Sequence, residues 1–188
     1  MYKMLFTCAA LVALTVAHAE PVNYKIDSDH TYVHWEVRHF GTSTNRGRWD
    51  RKEGMITIDR EAKSGSAEVR IDLTSLSTGF STFNEHLSGK NFFKGSAEAV
   101  FIGTKFSFDG DKVSAVEGEL SLLGKTNPVT LQATHFNCYD NPFFKTEVCG
   151  GDFEATIKRS QWGMGYAIPN IPDEVRLLIQ IEAVRQDS

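Results

Sequence analysis

The chain has 188 residues and carries 24 acidic side chains against 20 basic ones, for a formal net charge of −4 at pH 7. This balance argues against nucleic acid as a partner, because such binding depends on basic surface that neutralises phosphates. The length suits one domain with a substantial core. No segment is apolar over the ~20 residues that a membrane-spanning helix needs, so we expect a protein that does not span the membrane.

Residues 1–19 have the organisation of a secretion signal. Lys3 supplies a positive start, Leu5 to Val16 form an apolar stretch, and Ala17-His18-Ala19 is a small-x-small cleavage signal. We therefore expect this segment to direct export to the periplasm. The folded domain is expected to comprise residues 20–188.

Strict alternation of apolar and polar residues recurs after the signal and predicts strands with one dry and one wet face. The clearest run is 31–40, where Val33, Trp35 and Val37 share one face. The pattern predicts eight strands, near 31–40, 54–59, 67–74, 99–108, 113–123, 128–137, 152–159 and 174–184.

The segments between these strands carry turn signals and one helix signal. Asp109-Gly110 is a hairpin signal, and the mixed charges of 46–53 are typical of a solvated loop or an edge strand. Ser81 to Leu87 lacks the alternation, and Thr82 followed by Glu85 fits a capping box. We predict one short helix there.

The stretch from Gly118 to Thr126 is similar to a phosphate-binding P-loop but differs from it in spacing and context. Five residues separate Gly118 from Gly124 where the motif has four, and Pro128 leads into another predicted strand instead of a helix. We interpret this stretch as a strand that ends in a hairpin turn.

Two cysteines, Cys138 and Cys149, follow the signal, and they flank the turn-forming stretch 139–142. An oxidising compartment favours one disulfide, with a stabilisation of ~2–3 kcal/mol from the loop-entropy estimate. The sequence has neither a C-x-x-C pair nor a companion ligand cluster, which argues against a redox or metal role. We expect no metal and no cofactor.

Eight short strands are compatible with a β-sandwich and with a closed barrel, because alternation is common to both. Side chains can fill the dry face, which is the commoner outcome, or an eight-stranded barrel can enclose one small ligand. No G-x-S-x-G nucleophile motif is present.

The histidines are too scattered for a compact zinc motif. By strand parity His39 shares the face of Trp35, and His135 shares the face of Leu131. Both are therefore predicted to point inward. There they are candidates to hydrogen-bond the polar head of a ligand near the barrel mouth.

A series of short motifs resembles the YceI-like family of exported isoprenoid-binding proteins over nearly the whole chain after the signal. Eight motifs occur in the family's order, which makes the combination specific. They are Asp27-Ser28-Asp29-His30-Thr31 for D-x-x-H-[ST], Val37-Arg38-His39 for a strand ending in histidine, Gly47-Arg48-Trp49 for G-x-F, Ile71 to Thr78 for I-D-x-x-S-[IL]-x-T, His86-Leu87 with Asn91-Phe92-Phe93, Val116 to Gly124 for v-x-G-x-L-t-l-x-G, Arg159 to Met164 for R-S-D-F-G-M, and Asp173-Glu174-Val175 at the last strand.

The resemblance implies an all-β fold, a lipocalin-like extended eight-stranded antiparallel barrel with one short helix. It implies a non-enzymatic role, the periplasmic transport or sequestration of a polyisoprenoid or similar long-chain lipid in an apolar cavity. Expected ligand contacts are Trp35, Val37, His39, Ile71, Leu73, Phe106, Leu120, Leu131 and His135. The alternatives are an enzyme that uses His39 or His135 on a small amphiphile, and a structural or partner-binding domain with a filled core. Whether the barrel forms a homodimer stays open.

The chain departs from the family pattern near the predicted helix and the last motifs. Phe83 and Asn84 stand where the family has Arg-Asp, Glu98 stands where it has proline, and Gln161 replaces an aspartate. We expect the loss of charge near the helix to alter the cavity mouth and the preferred headgroup. The cysteine pair is not part of the family pattern.

Overall fold

The computed structural model describes residues 20–186, so the predicted signal segment 1–19 lies outside the described residues. The helix α1 spans Ser81–Ser88, and 3-10 helices span Leu73–Ser75 and Arg159–Trp162. Within the described range, no helix has the length and apolar character needed to cross a membrane. The strands are β1 Val22–Ile26, β2 Tyr32–His39, β3 Ser43–Trp49, β4 Lys52–Asp59, β5 Ser64–Asp72, β6 Leu76–Ser77, β7 Glu98–Asp109, β8 Lys112–Leu122, β9 Lys125–Asn141, β10 Thr146–Lys158 and β11 Glu174–Arg185.

The sheet closes on itself, because β1 pairs with β4 on one side and with β11 on the other. The short segments combine into longer strands. β1 and β2 lie end to end along β11, β3 and β4 lie end to end along them, and a 3-10 turn separates β5 from β6. The predicted eight-stranded antiparallel barrel is confirmed, and closure rules out the sandwich.

Side chains replace the sheet's hydrogen bonds where the first long strand bends. Residues 27–30 leave the sheet between β1 and β2. The hydroxyl of Thr31 donates to the Glu182 carbonyl (3.2 Å) and accepts from the Glu182 N–H (3.1 Å). The Thr31 hydroxyl therefore provides a hydrogen-bond partner for both the N–H and the carbonyl of Glu182 on β11, as burial in a sheet requires.

The barrel has two ends. The helix end carries α1, the 3-10 helix Arg159–Trp162 and the turn at Leu123 and Gly124; the hairpin end carries the turns 60–63, 110–111 and 142–145. Leu123 and Gly124 have φ of 53° and 71°, as a tight turn between paired strands requires. The segment that is similar to a P-loop is thus a β8–β9 hairpin, as predicted. Asp109-Gly110 forms the predicted β7–β8 turn.

Three strands, β1, β3 and β6, were missed by the sequence analysis. β1 and β6 are short, and β3 falls in the charged region 46–53, where the prediction left a solvated loop and an edge strand open and the loop is wrong. β3 pairs with β2 along its whole length. Gly47 and Trp49 are buried, while Arg46 and Arg48 are exposed and pair with Glu36 (2.6 Å) and Asp50 (2.7 Å).

The predicted helix is confirmed, but its predicted capping box is wrong. The N-cap is Phe80, which makes no side-chain cap hydrogen bond, and Thr82 lies inside the helix. Asn84 anchors the helix instead. Its side-chain oxygen accepts from the backbone N–H (2.9 Å) and the hydroxyl (2.7 Å) of Thr78, which ties the helix to the chain that precedes it.

The predicted disulfide joins Cys138 on β9 to Cys149 on β10. The two residues are direct partners in the antiparallel register, and their Cα atoms lie 4.1 Å apart. The bond therefore links two paired strands near the turn of the β9–β10 hairpin.

Candidate ligand-binding site

An apolar cavity of about 200 Å³ lies inside the barrel. This volume far exceeds the ~10–15 Å³ that one water molecule requires, so the interior is not filled by side chains. The inner faces of the strands form most of the wall. Five residues from α1 and the loops complete it at the helix end: Leu87, Phe92, Phe93, Met164 and Ile171.

Strand parity correctly located the apolar part of this wall. All seven apolar residues nominated from the sequence line the cavity; they are Trp35, Val37, Ile71, Leu73, Phe106, Leu120 and Leu131. Their contact with a ligand stays a prediction. The sequence analysis missed the wall residues Trp49, Phe92 and Phe93. Trp49 could have been found, because Gly47 and Trp49 alternate with two arginines in the charged run.

The inward placement of His135 is wrong, because β9 contains a bulge. Ala133 pairs with Phe153, but the next partner of β10, Asp152, pairs with His135, which leaves Thr134 as an extra residue. One extra residue reverses which side chains face inward along the rest of a strand. Phe136 consequently lines the cavity, and His135 is exposed.

His39 lies at the last position of β2 and is half-buried. Its ring contacts the ring of Phe40 edge-on, with 4.8 Å between centroids. It is not among the cavity-lining residues of the described chain. Neither nominated histidine lines the cavity.

Most polar side chains on the cavity wall are hydrogen-bonded to other groups of the protein. Thr31 is bonded to β11 as described, and the guanidinium of Arg159 donates to the carbonyls of Met164 (2.5 Å), Ile171 (2.8 Å) and Pro172 (2.9 Å). Burial lowers the pKa of Arg159, against the opposing attraction of Asp173. Arg159 thus fixes the loop that covers the helix end, with each of its three guanidinium nitrogens bonded to a carbonyl.

A polar cluster braces the hairpin end. The Tyr24 hydroxyl donates to Glu147 (2.5 Å), and Arg60 donates to the other oxygen of that carboxylate (3.0 Å). The same Arg60 nitrogen lies 2.9 Å and 3.0 Å from the sulfurs of Cys138 and Cys149. Burial tends to raise the pKa of Glu147, but the hydrogen bonds from Tyr24 and Arg60 outweigh it and lower that pKa overall.

Tyr24 provides a test of this cluster at high pH. Burial, followed by the hydrogen bond to Glu147, raises the pKa of Tyr24 from 10.0 to about 12. The stability conferred by the neutral phenol is complete below pH 10 and is lost as the pH rises through about 12. We expect urea unfolding to show this loss in the wild type and a smaller one in Tyr24→Phe, which has no phenol to ionise. Equal losses in both proteins would contradict the assignment.

Comparisons with known proteins place this barrel. The YceI-like domain family matches residues 24–183. The chain belongs to the YceI-like family. It is 30% identical to Protein YceI of Salmonella arizonae over 186 residues, which are 96% of each chain. Its fold is similar to Burkholderia cenocepacia BcnA, with a TM-score of 0.68 and 23% identity over 84% of this chain and 99% of that one. It is also similar to a polyisoprenoid binding domain from Saccharophagus degradans implicated in plant cell wall breakdown, with a TM-score of 0.60 and 15% identity over 87% of this chain and 98% of that one.

In this YceI-like barrel the departures from the family pattern lie around the helix end. The Phe83 ring stacks on His86 (6.3 Å between centroids), His86 contacts Phe92 edge-on (5.2 Å), and Phe92 contacts Tyr166 (5.7 Å). Phe92 in this row lines the cavity, and Phe83 begins the row at the position where the family pattern has arginine. Glu98 forms a surface ion pair with Arg70 (2.9 Å).

Proposed function

We propose that the protein binds one polyisoprenoid, or an amphiphile with a similarly long apolar chain, inside the barrel and carries or sequesters it in the periplasm. The observation that carries this proposal is the apolar wall, which continues from Tyr24 at the hairpin end to Phe92 at the helix end. The fold similarity to a polyisoprenoid binding domain supports it.

The wall can supply the binding free energy without strong polar contacts. Each methylene removed from water contributes ~0.8 kcal/mol, so ten methylenes would contribute about 8 kcal/mol, equivalent to a dissociation constant of roughly 1 µM. Such binding depends on chain length more than on the headgroup. The protein should therefore accept related chains of similar length.

Binding is favoured over catalysis by the position of the histidines. The enzymatic alternative required His39 or His135 beside a substrate in the cavity. His135 is exposed on the outer face, and His39 lies at the end of its strand beside Phe40. No observation in the described part of the chain favours a reaction over storage of the ligand.

The proposal is tested by titrating delipidated protein with prenyl alcohols of five, ten, fifteen and twenty carbons. Calorimetry should show one chain per barrel, and affinity should rise roughly tenfold for every two buried methylenes until the cavity is full. Uptake without saturation, or with the same affinity at every chain length, would count against an interior site.

A further inference from the structure

Two hydrogen-bond donors on the cavity wall have no partner. The indole N–H groups of Trp35 and Trp49 are both buried and donate to no other group of the described residues, and the two residues are only 6% and 7% exposed. The third tryptophan differs: the Trp162 nitrogen donates to the Leu120 carbonyl at 3.0 Å. Because an unsatisfied buried donor is costly, such groups usually have a partner that the protein alone does not supply.

The sequence places both indoles on the same inner face. Trp35 pairs with Gly47 and Val33 pairs with Trp49, so the two tryptophans are diagonal neighbours across β2 and β3. Large side chains at diagonal positions reach one another across the ~7–8 Å between them. The two tryptophan side chains therefore belong to one region of the wall.

Neighbouring residues fix the positions of both indole rings. A Cβ on Gly47 would lie 2.5 Å from the Trp35 ring and 2.8 Å from its nitrogen, so this ring position requires glycine opposite. The Trp49 ring meets Phe93 edge-on, with 5.6 Å between centroids. Trp49 also stands where the family motif G-x-F has phenylalanine, which has no N–H. The second donor is thus a departure of this chain from the motif.

The charge on the wall limits the kind of group that the indoles can accept. Among the described residues, Arg159 is the only basic side chain that lines the cavity, and three carbonyls occupy its guanidinium. An anionic group would leave water for apolar walls on which Arg159 is already bonded to three carbonyls, which is costly. A neutral oxygen needs only the two N–H donors.

We infer that the apolar ligand carries a neutral oxygen acceptor, of the ketone, ester or ether class, which lies inside the barrel against Trp35 and Trp49. This inference rests on the proposed function and specifies its ligand. The polar group of the ligand is then enclosed by β2 and β3 instead of projecting from the rim. An indole N–H bond selects among chains that the apolar wall alone would accept equally.

The test uses three probes with the full domain: farnesylacetone, the hydrocarbon in which a methylene replaces its carbonyl, and farnesyl phosphate. Proton–nitrogen NMR resolves the indole N–H signals. We expect the ketone to shift the Trp35 and Trp49 signals downfield, while Trp162, already bonded to Leu120, serves as the internal control and stays in place. The hydrocarbon should produce no downfield shift at either donor.

Phenylalanine variants give the matching affinity test, because they keep a ring and remove the donor. Trp49→Phe and Trp35→Phe should each weaken ketone binding about two- to tenfold more than they weaken hydrocarbon binding, because both probes lose the same ring contacts and only the ketone loses a hydrogen bond. Equal binding of ketone and hydrocarbon with unmoved signals would overturn the inference and leave the proposed function standing. Tightest binding of the phosphate would also overturn it. Uptake of no probe would contradict the proposed function itself.

Discussion

Replacing Arg159 with methionine is expected to lower the free energy of unfolding by about 3–5 kcal/mol, since the buried carbonyl of Met164 loses its donor at ~1–3 kcal/mol and the half-buried carbonyls of Ile171 and Pro172 lose theirs at the lower end of that range. Methionine retains most of the side-chain volume, so the loss reports the hydrogen bonds more than a cavity. Urea unfolding measures it. The variant should also bind prenyl chains less tightly, because the loop over the helix end loses its anchor.

Two further substitutions control this result. Arg159→Lys keeps the charge but not the planar fork, so it should recover only part of the lost stability. Arg176→Met removes a guanidinium from exposed pairs with Glu154 (2.6 Å) and Glu36 (3.7 Å) and should leave the unfolding midpoint almost unchanged. If Arg159→Met were as stable as Arg176→Met, the carbonyl contacts would not hold the loop.

Replacing Ala67 with phenylalanine is expected to reduce the uptake of a twenty-carbon chain by about a hundredfold, because the ring displaces three or four methylenes at ~0.8 kcal/mol each. Ala67 lines the cavity and pairs with Gly103 on the neighbouring strand, so small residues leave the interior open at this level. Titration with geranylgeraniol measures the effect. Overpacking should lower stability by only ~1–3 kcal/mol, which leaves the barrel folded.

The matched control is Ala97→Phe, which places the same ring on an exposed residue outside the cavity. Chain uptake by this variant should equal that of the wild type. Wild-type affinity in folded Ala67→Phe would mean that the prenyl chain binds somewhere other than the interior.

Alternation predicted most of the strands because each has one buried face, as in β2, where Val33 and Trp35 point inward, whereas the choice of a barrel over a sandwich came from the family resemblance. It failed where an inner position carries no apolar signal. In β3 the arginines at 46 and 48 dominate the pattern, and the inward Gly47 contributes nothing apolar to it. The outer residues there, and not the inner ones, determined the wrong prediction.

The rest of the site depends on tertiary contacts that no local pattern encodes. The bulge at Thr134 is visible only in the register of β9 with β10, so strand parity alone assigned His135 to the wrong face. Phe92 and Phe93 close the cavity from a loop without periodicity. The unpartnered state of Trp35 and Trp49 depends on every neighbour of the two rings and could not be read from the chain.

Native mass spectrometry of the protein, expressed from its full sequence and purified without detergent, tests the central claim most directly. The barrel should carry one apolar molecule that organic extraction releases, and the delipidated protein should take up one prenyl chain in its place. The Ala67→Phe variant should be isolated largely without the molecule. A wild-type protein that holds no lipid after purification and takes up no prenyl chain afterwards would contradict the account.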